Sequence, residues 1–186
     1  MGALHASTGL ARSRWLSRDN PGMTEQRLRP SLTVAGIIER NGLYLLVEEQ
    51  TPEGLRLNNP AGHLEQGETL IEAVIREVLE ETAHPFVPEA LVGVYLSRFQ
   101  RPAAQQDVTY VRMAFCGTVS APLSDRALDC GIVRTLWLSL DDVRASQARH
   151  RSPLVLQCIE DHHAGQRHPL SLLHAHESLK IPEIKG

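Results

Sequence analysis

Three glutamates on one short stretch are the residues of this chain best placed to do chemistry. Residues 62–84, GHLEQGETLIEAVIREVLEETAH, run from a glycine-containing loop into a segment with helical apolar spacing. On a helical wheel with Glu77 at zero, Glu81 falls at roughly 40° and Glu80 at roughly 300°, so the three carboxylates share one face. Ile71, Val74, Ile75, Val78 and Leu79 gather on another side. Like charges at these spacings repel, each pair costing about 0.2–0.5 kcal/mol. No lysine or arginine is expected on the acidic face, and oxygen ligands held this way suit a hard divalent cation such as Mg²⁺. The plainer alternative is a solvated acidic surface.

The loop ahead of the helix favours the metal. Pro60 and Gly62 argue against regular structure there, and Gly67 permits a sharp bend before Glu68. Such a loop can carry backbone groups to the phosphate that the metal holds. Arg76 can pair with Glu72 at i,i+4, or reach back to Glu68 and lock the loop onto the helix. The second is expected, because Glu68 otherwise has no evident partner.

The spacing of Gly62, Glu68 and Arg76-Glu77-Val78-Leu79-Glu80-Glu81 resembles the Nudix box, G-x5-E-x7-R-E-U-x-E-E-x-G-U. Two positions depart from it: Ala83 stands where the family has glycine, and His84 where it has an aliphatic residue. Alanine disfavours positive φ, so the end of the helix is expected to close differently. The likeness extends over about residues 31–173, through TVAGIIERNGLYLLVEE, LDCGIVRTLWLS and RSPLVLQCIEDHHAGQRHPL, and points to a phosphatase branch of the family, the NudJ group.

That resemblance implies an α/β fold, a Nudix-type α/β/α sandwich with a mixed central sheet. It implies metal binding by Glu77, Glu80 and Glu81, joined by the Gly62 backbone carbonyl, with Mg²⁺ as the ion and Mn²⁺ as the alternative. Glu68 and Arg76 would hold loop and helix in register. The implied reaction is hydrolysis of nucleoside tri- and diphosphates and of hydroxymethylpyrimidine diphosphate, releasing orthophosphate, by a monomer; the cysteine usage, separately, points to the cytoplasm. Nucleotide sugars or dinucleotides are the alternative substrates. A Nudix fold that senses a nucleotide without cleaving it is the rival from another class.

The general base stays open at this point. One of the helix glutamates can serve, and Asp125 and Asp129 are candidates from a distant loop. Each is also readable as a plain polar loop residue. His63, beside the loop glycine, is a candidate for touching a substrate phosphate. Arg112, in the middle of a strand, either holds an anionic ligand or points to solvent. His162-His163 and His174-x-His176 have no cysteine at a zinc-like spacing, so polar surface is expected of them.

Composition narrows the rest. A chain of 186 residues with 42% hydrophobic and 22% charged residues suits one soluble domain. Its net charge of −3 suggests no nucleic-acid or membrane surface. No apolar run approaches the roughly 18 residues of a membrane span. Cys116, Cys130 and Cys158 form no C-x-x-C pair and read as small buried thiols in a reducing compartment.

Residues 1–30 lack apolar periodicity. Arg12, Arg14 and Arg18 among Ser7, Ser13 and Ser17, with Asp19 the one acid before Met23, give this stretch a transit-peptide flavour. It is expected to be a disordered extension, with Met23 a candidate start. A domain over 31–173 and a tail over 174–186 follow. Within the domain, strands are expected over 31–40 and 43–49 around an Asn41-Gly42 turn. Residues 51–59 read as a loop with a short strand. Further strands are expected over 91–99, 108–119 and 132–138, with a polar link over 100–107. Ser139, three residues before Asp142, looks like an N-cap, and Ser152-Pro153 and Gly165 bracket the last helix.

Overall fold

Alternation along the strands decides which helix each strand residue meets. The protein is described here from a computed structural model over residues 28–101 and 105–180. Most of the expected N-terminal extension, part of the polar link and the end of the expected tail lie outside those residues. The strands are β1 (Ser31–Arg40), β2 (Leu43–Thr51), β3 (Gly54–Asn58), β4 (Ala61–His63), β5 (Phe86–Arg101), β6 (Gln106–Val119) and β7 (Ile132–Ser139). The helices are α1 (Leu70–Thr82), α2 (Leu140–Ala145) and α3 (Leu154–His163).

One mixed sheet joins the strands in the order β3-β2-β1-β6-β5, with β4 added to β1 and β7 to β2. The β1–β6 pair is parallel and the others are antiparallel. Helices cover both faces, so the α/β sandwich is the observed fold. Val34, Ile38, Met113 and Phe115 pack against Val74 and Val78 of α1. The intervening Ile37, Ala114 and Cys116 pack against Val143 of α2 and Val155, Cys158 and Ile159 of α3. Burying each large apolar side chain in these two layers contributes about 1.5–3 kcal/mol. Gly36 keeps α1 close to the sheet, since a Cβ there would lie 2.6 Å from Val78 Cγ2.

Local sequence explains the element ends. Asn41 and Gly42 both take positive φ, as the hairpin turn requires. Thr69 caps α1 by accepting from Glu72 N–H while Glu72 accepts from Thr69 N–H, a capping box. Glu72 also pairs with Lys180 at 2.7 Å, which docks the segment after α3 onto the start of α1. Ser139 accepts from Asp142 N–H at the start of α2, as its spacing predicts.

Several expectations need correction. Residues 61–63 are a strand and not an irregular loop: Gly62 pairs with Val34, in extended backbone that Pro60 only precedes. The strand expected over 91–99 runs from Phe86 to Arg101, with Pro88 next to a register shift where a missing N–H is tolerated. The neighbouring strand likewise starts at Gln106, which shortens the polar link. Cys130 is exposed, while Cys116 and Cys158 are buried.

The end of α1 also differs from expectation. Ala83 takes the left-handed conformation (φ 59°) and donates its N–H to Leu79 O at 3.0 Å, so alanine closes the helix where glycine would. The left-handed well carries a penalty of about 1–2 kcal/mol for a residue with a Cβ. Ala83→Gly is therefore expected to stabilise the fold by about 0.5–1 kcal/mol, after loss of the small buried methyl. Urea unfolding tests this, and a lower midpoint for the variant would contradict it.

Candidate active site

Glu77, Glu80 and Glu81 occupy the last turns of α1, the negative end of the helix dipole. No basic residue sits in that final turn. Glu77 and Glu81 are both buried, while Glu80 is half-buried. Burial, the largest effect, pushes the Glu77 carboxyl up despite its contact with Arg76. Burial pushes Glu81 further, to about 8, with Glu77, Glu49 and Asp129 adding repulsion. Glu81 keeps one compensating bond, from Ala61 N–H at 2.8 Å.

Arg76 organises the outer part of the cluster. Its Nε donates to Glu68 Oε1 at 2.6 Å and its Nη2 to Glu68 Oε2 at 3.0 Å, a two-pronged grip on the loop. The same Nη2 donates to the His63 carbonyl at 3.0 Å. Its Nη1 donates to Glu77 at 2.8 Å and Glu80 at 3.0 Å. A cation therefore does reach the acidic face, contrary to the helical-wheel reading. Arg76 stands only 40° from Glu80 on the wheel, and its long side chain spans that gap. It does not pair with Glu72, which is engaged by Thr69 and Lys180.

One guanidinium does not balance Glu68, Glu77, Glu80 and Glu81. Gly62 tightens the arrangement, because a Cβ there would stand 2.2 Å from the Glu77 carboxylate. The donors are all hard oxygens, two of them buried and short of positive charge, which fits a divalent ion of the Mg²⁺ type. Among the described residues no three acidic, histidine or cysteine side chains already converge in a ligating arrangement.

The two loop aspartates separate clearly. Asp129 N–H donates to the Glu80 carbonyl at 2.9 Å, and its charge is felt by both Glu77 and Glu81. Asp125 is exposed and contacts its neighbour Ser124. Of the histidine pairs, His162 meets the Tyr44 hydroxyl at 3.2 Å and is held neutral, with a pKa near 4, mainly by burial. That is a packed residue and not a metal ligand.

Beside the cluster lies a chamber of about 920 Å³, whose walls include Ala61, Gly62 and His63. His63 is exposed there with its ring 6.4 Å from that of Tyr110. Arg112 also lines the chamber and is buried, which removes the solvent-facing alternative. Glu49, Asn58 and Arg151 belong to the same walls. Sequence reading passed over them, because residues scattered over two strands and the approach to a helix carry no spacing signal.

The NUDIX domain family matches residues 27–158 of the chain. Phosphatase NudJ of Escherichia coli strain K12 is 32% identical over 145 residues, covering 78% of this chain and 91% of that protein. A NUDIX hydrolase from Nitrosomonas europaea has a solved structure with 52% identity and a TM-score of 0.72, covering 80% of this chain and 98% of its own. The NUDIX domain of Shewanella oneidensis NrtR, solved with ADP ribose, shares the fold at 17% identity and a TM-score of 0.59. That last likeness covers 77% of this chain and 92% of the other.

Glu81 gives the metal-free protein a specific pH dependence. Its carboxyl titrates near 4.5 in an ordinary setting and near 8 in the fold, so the folded state binds the extra proton between those values. Stability of the chelator-treated protein is expected to fall as pH rises through that window. Glu81→Gln should flatten the decline and raise the melting temperature at the alkaline end. An unchanged pH profile in the variant would show that the buried charge is not the cause.

Proposed function

Because this chain belongs to the NUDIX domain family and is a Nudix hydrolase, we propose that it carries out Mg²⁺-dependent hydrolysis of diphosphate bonds in nucleoside tri- and diphosphates and in hydroxymethylpyrimidine diphosphate, releasing orthophosphate. The observation that carries the reading is the pair of buried, under-compensated carboxylates, Glu77 and Glu81, pressed against Gly62. The identity to Phosphatase NudJ supports release of orthophosphate. We place the reaction in the cytoplasm, where the three free cysteines stay reduced.

Glu77 and Glu81, with Glu80 and the Gly62 carbonyl, would hold the ion, with Mn²⁺ able to replace Mg²⁺. When bound, the ion neutralises the phosphate oxygens and lowers the pKa of a coordinated water. Water attacks phosphorus, the bond to the bridging oxygen breaks, and that oxygen leaves with its electron pair and takes up a proton. Glu68 and Arg76 fix the 62–68 loop against α1, so that Gly62 and His63 face the chamber mouth. His63 and Arg112 contact the substrate. Glu80 or Asp129 accepts the proton from the attacking water. Both are joined to the same spot, since Asp129 N–H is bonded to the Glu80 carbonyl.

The size of the chamber favours a second reading within the same chemistry, cleavage of nucleotide sugars or dinucleotides. About 920 Å³ is at the upper end of what small-molecule sites need.

Incubation with Mg²⁺ and a panel of nucleotides, with phosphate and pyrophosphate assayed separately, tests the proposal. Orthophosphate is the expected product, and no turnover on any member would end the reading in favour of a sensor. Glu77→Gln and Glu81→Gln should each lower kcat by at least about two orders of magnitude while leaving the fold intact. Near-normal turnover in both would remove the metal cluster from the mechanism. Asp129→Asn and Glu80→Gln, compared side by side, locate the base: the more impaired variant marks it.

A further inference from the structure

Arg112 is a buried charge without an ion-pair partner among the described residues. Strand alternation turns it, with Ala114 and Cys116, toward α3, and it is 8% exposed. Its Nη1 lies 3.5 Å from Asn59 Oδ1, a long contact, and the Cys158 thiol is its other polar neighbour. Among the described residues no carboxylate forms an ion pair with it, and Glu49 and Glu81 act on it only through space. Desolvating an unpaired guanidinium costs far more than placing a methionine in the same volume. Among the described residues, Asn59, Cys158 and the distant charges of Glu49 and Glu81 offset only part of that cost.

The side chain is not sealed in. It lines the chamber with Thr33, His63 and Tyr110, and the Ala61–Gly62 wall of that chamber belongs to the glutamate cluster. Other polar atoms around it are also buried without partners: Asn59 Nδ2, Ser152 Oγ and His150 Nδ1. Each can donate a hydrogen bond, His150 in the tautomer with its proton on Nδ1. Glu49 Oε1 and Asn58 Oδ1 are acceptors without a hydrogen-bond donor, and Glu49 is the closer of the two to being matched, by Arg151 at 3.6 Å. Asn59 Nδ2, Ser152 Oγ and His150 Nδ1 are thus three groups able to donate to an acceptor that the described residues do not supply.

We propose that Arg112 grips a phosphate of the substrate other than the one attacked, which makes the chamber a phosphate-binding compartment that works without the metal. The proposal rests on the hydrolase reading for the identity of its ligand. A product that keeps a phosphate ester after terminal cleavage carries the required oxygens. The planar guanidinium offers two parallel N–H donors to two non-bridging oxygens, a fit that a lysine ammonium does not reproduce. Arg112 is then a specificity residue that favours phosphorylated ligands over the corresponding alcohols.

The test uses the full chain in chelator, with inorganic phosphate, a nucleoside monophosphate and the matching nucleoside as probes, read by calorimetry and thermal shift. The monophosphate and phosphate should bind and raise the melting temperature, and the nucleoside should not. Arg112→Gln and Arg112→Lys should each weaken monophosphate binding by at least about tenfold. Without ligand, Arg112→Gln should melt at or above the wild type, because it removes a buried unpaired charge. Equal binding of nucleoside and monophosphate to the wild type overturns the proposal, and that comparison needs no variant to fold. A destabilised Arg112→Gln whose stability and binding are both restored by lysine also overturns it, in favour of a structural role. Metal-free phosphate binding with no turnover in Mg²⁺ would sink the hydrolase reading alone, and turnover without metal-free binding would sink this one alone.

Discussion

Unbalanced negative charge at the C-terminal end of α1 is the constraint on which the rest of the site depends. Three glutamates crowd the last turns at the negative end of the helix, and two of them are buried. Hydrophobic packing is what forces this, since Val74 and Val78 must face the sheet and thereby fix the direction of Glu77 and Glu81. The glutamates cannot turn away without pulling the helix from its layer. A fold that stores repulsion in this way is stable only because Ala61 N–H and Arg76 remove part of it. The remainder is available to a ligand of opposite sign.

The sheet sets where that ligand stands. Parallel pairing of β1 with β6 leaves the other edge of β1 open to the three residues of β4. That short strand brings Gly62 under Glu77 and Ala61 N–H onto Glu81, while its neighbour His63 gives its carbonyl to Arg76. The same arginine holds Glu68, so one side chain ties the loop, the strand and the helix together. Its worth to the fold exceeds that of an exposed ion pair, because it is bidentate and mostly shielded.

Much of this was legible because it is local. Glu77, Glu80 and Glu81 follow from a wheel, and the capping and hairpin signals fell where Ser139 and Asn41-Gly42 stand, whereas the Thr69 cap was not read. Strands interleaved with helices pointed to an α/β domain, and the resemblance of the box supplied the sandwich architecture. What escaped was set by distance along the chain or by side-chain reach. A wheel records angles and not lengths, so it missed that Arg76 spans to Glu80. The strand at Ala61 was hidden by Pro60 and Gly62, because its pairing partner lies some thirty residues earlier in β1. Arg112 was undecided between two faces until β1 and β5 fixed its direction on β6. The chamber walls draw on β2, β3, β6 and the start of α3, and no local pattern encodes such a convergence.

Glu81 and Arg112 show why the arrangement persists. Both are ionisable and buried, and Glu81 acts on Arg112 through space, yet they form no ion pair. Pairing them would relieve both and stabilise the empty protein. The chain instead separates them with Asn59, Pro60 and Ala61: Asn59 faces Arg112, Ala61 donates to Glu81, and Pro60 gives its carbonyl to Gly36 N–H. That three-residue spacer is anchored to β1 and cannot yield. A molecule bearing linked anionic groups, neutralised by a cation on the glutamate side and by the guanidinium on the other, satisfies both ends at once. On the proposed reading, the stability forgone in the free protein is the physical source of affinity for such a ligand.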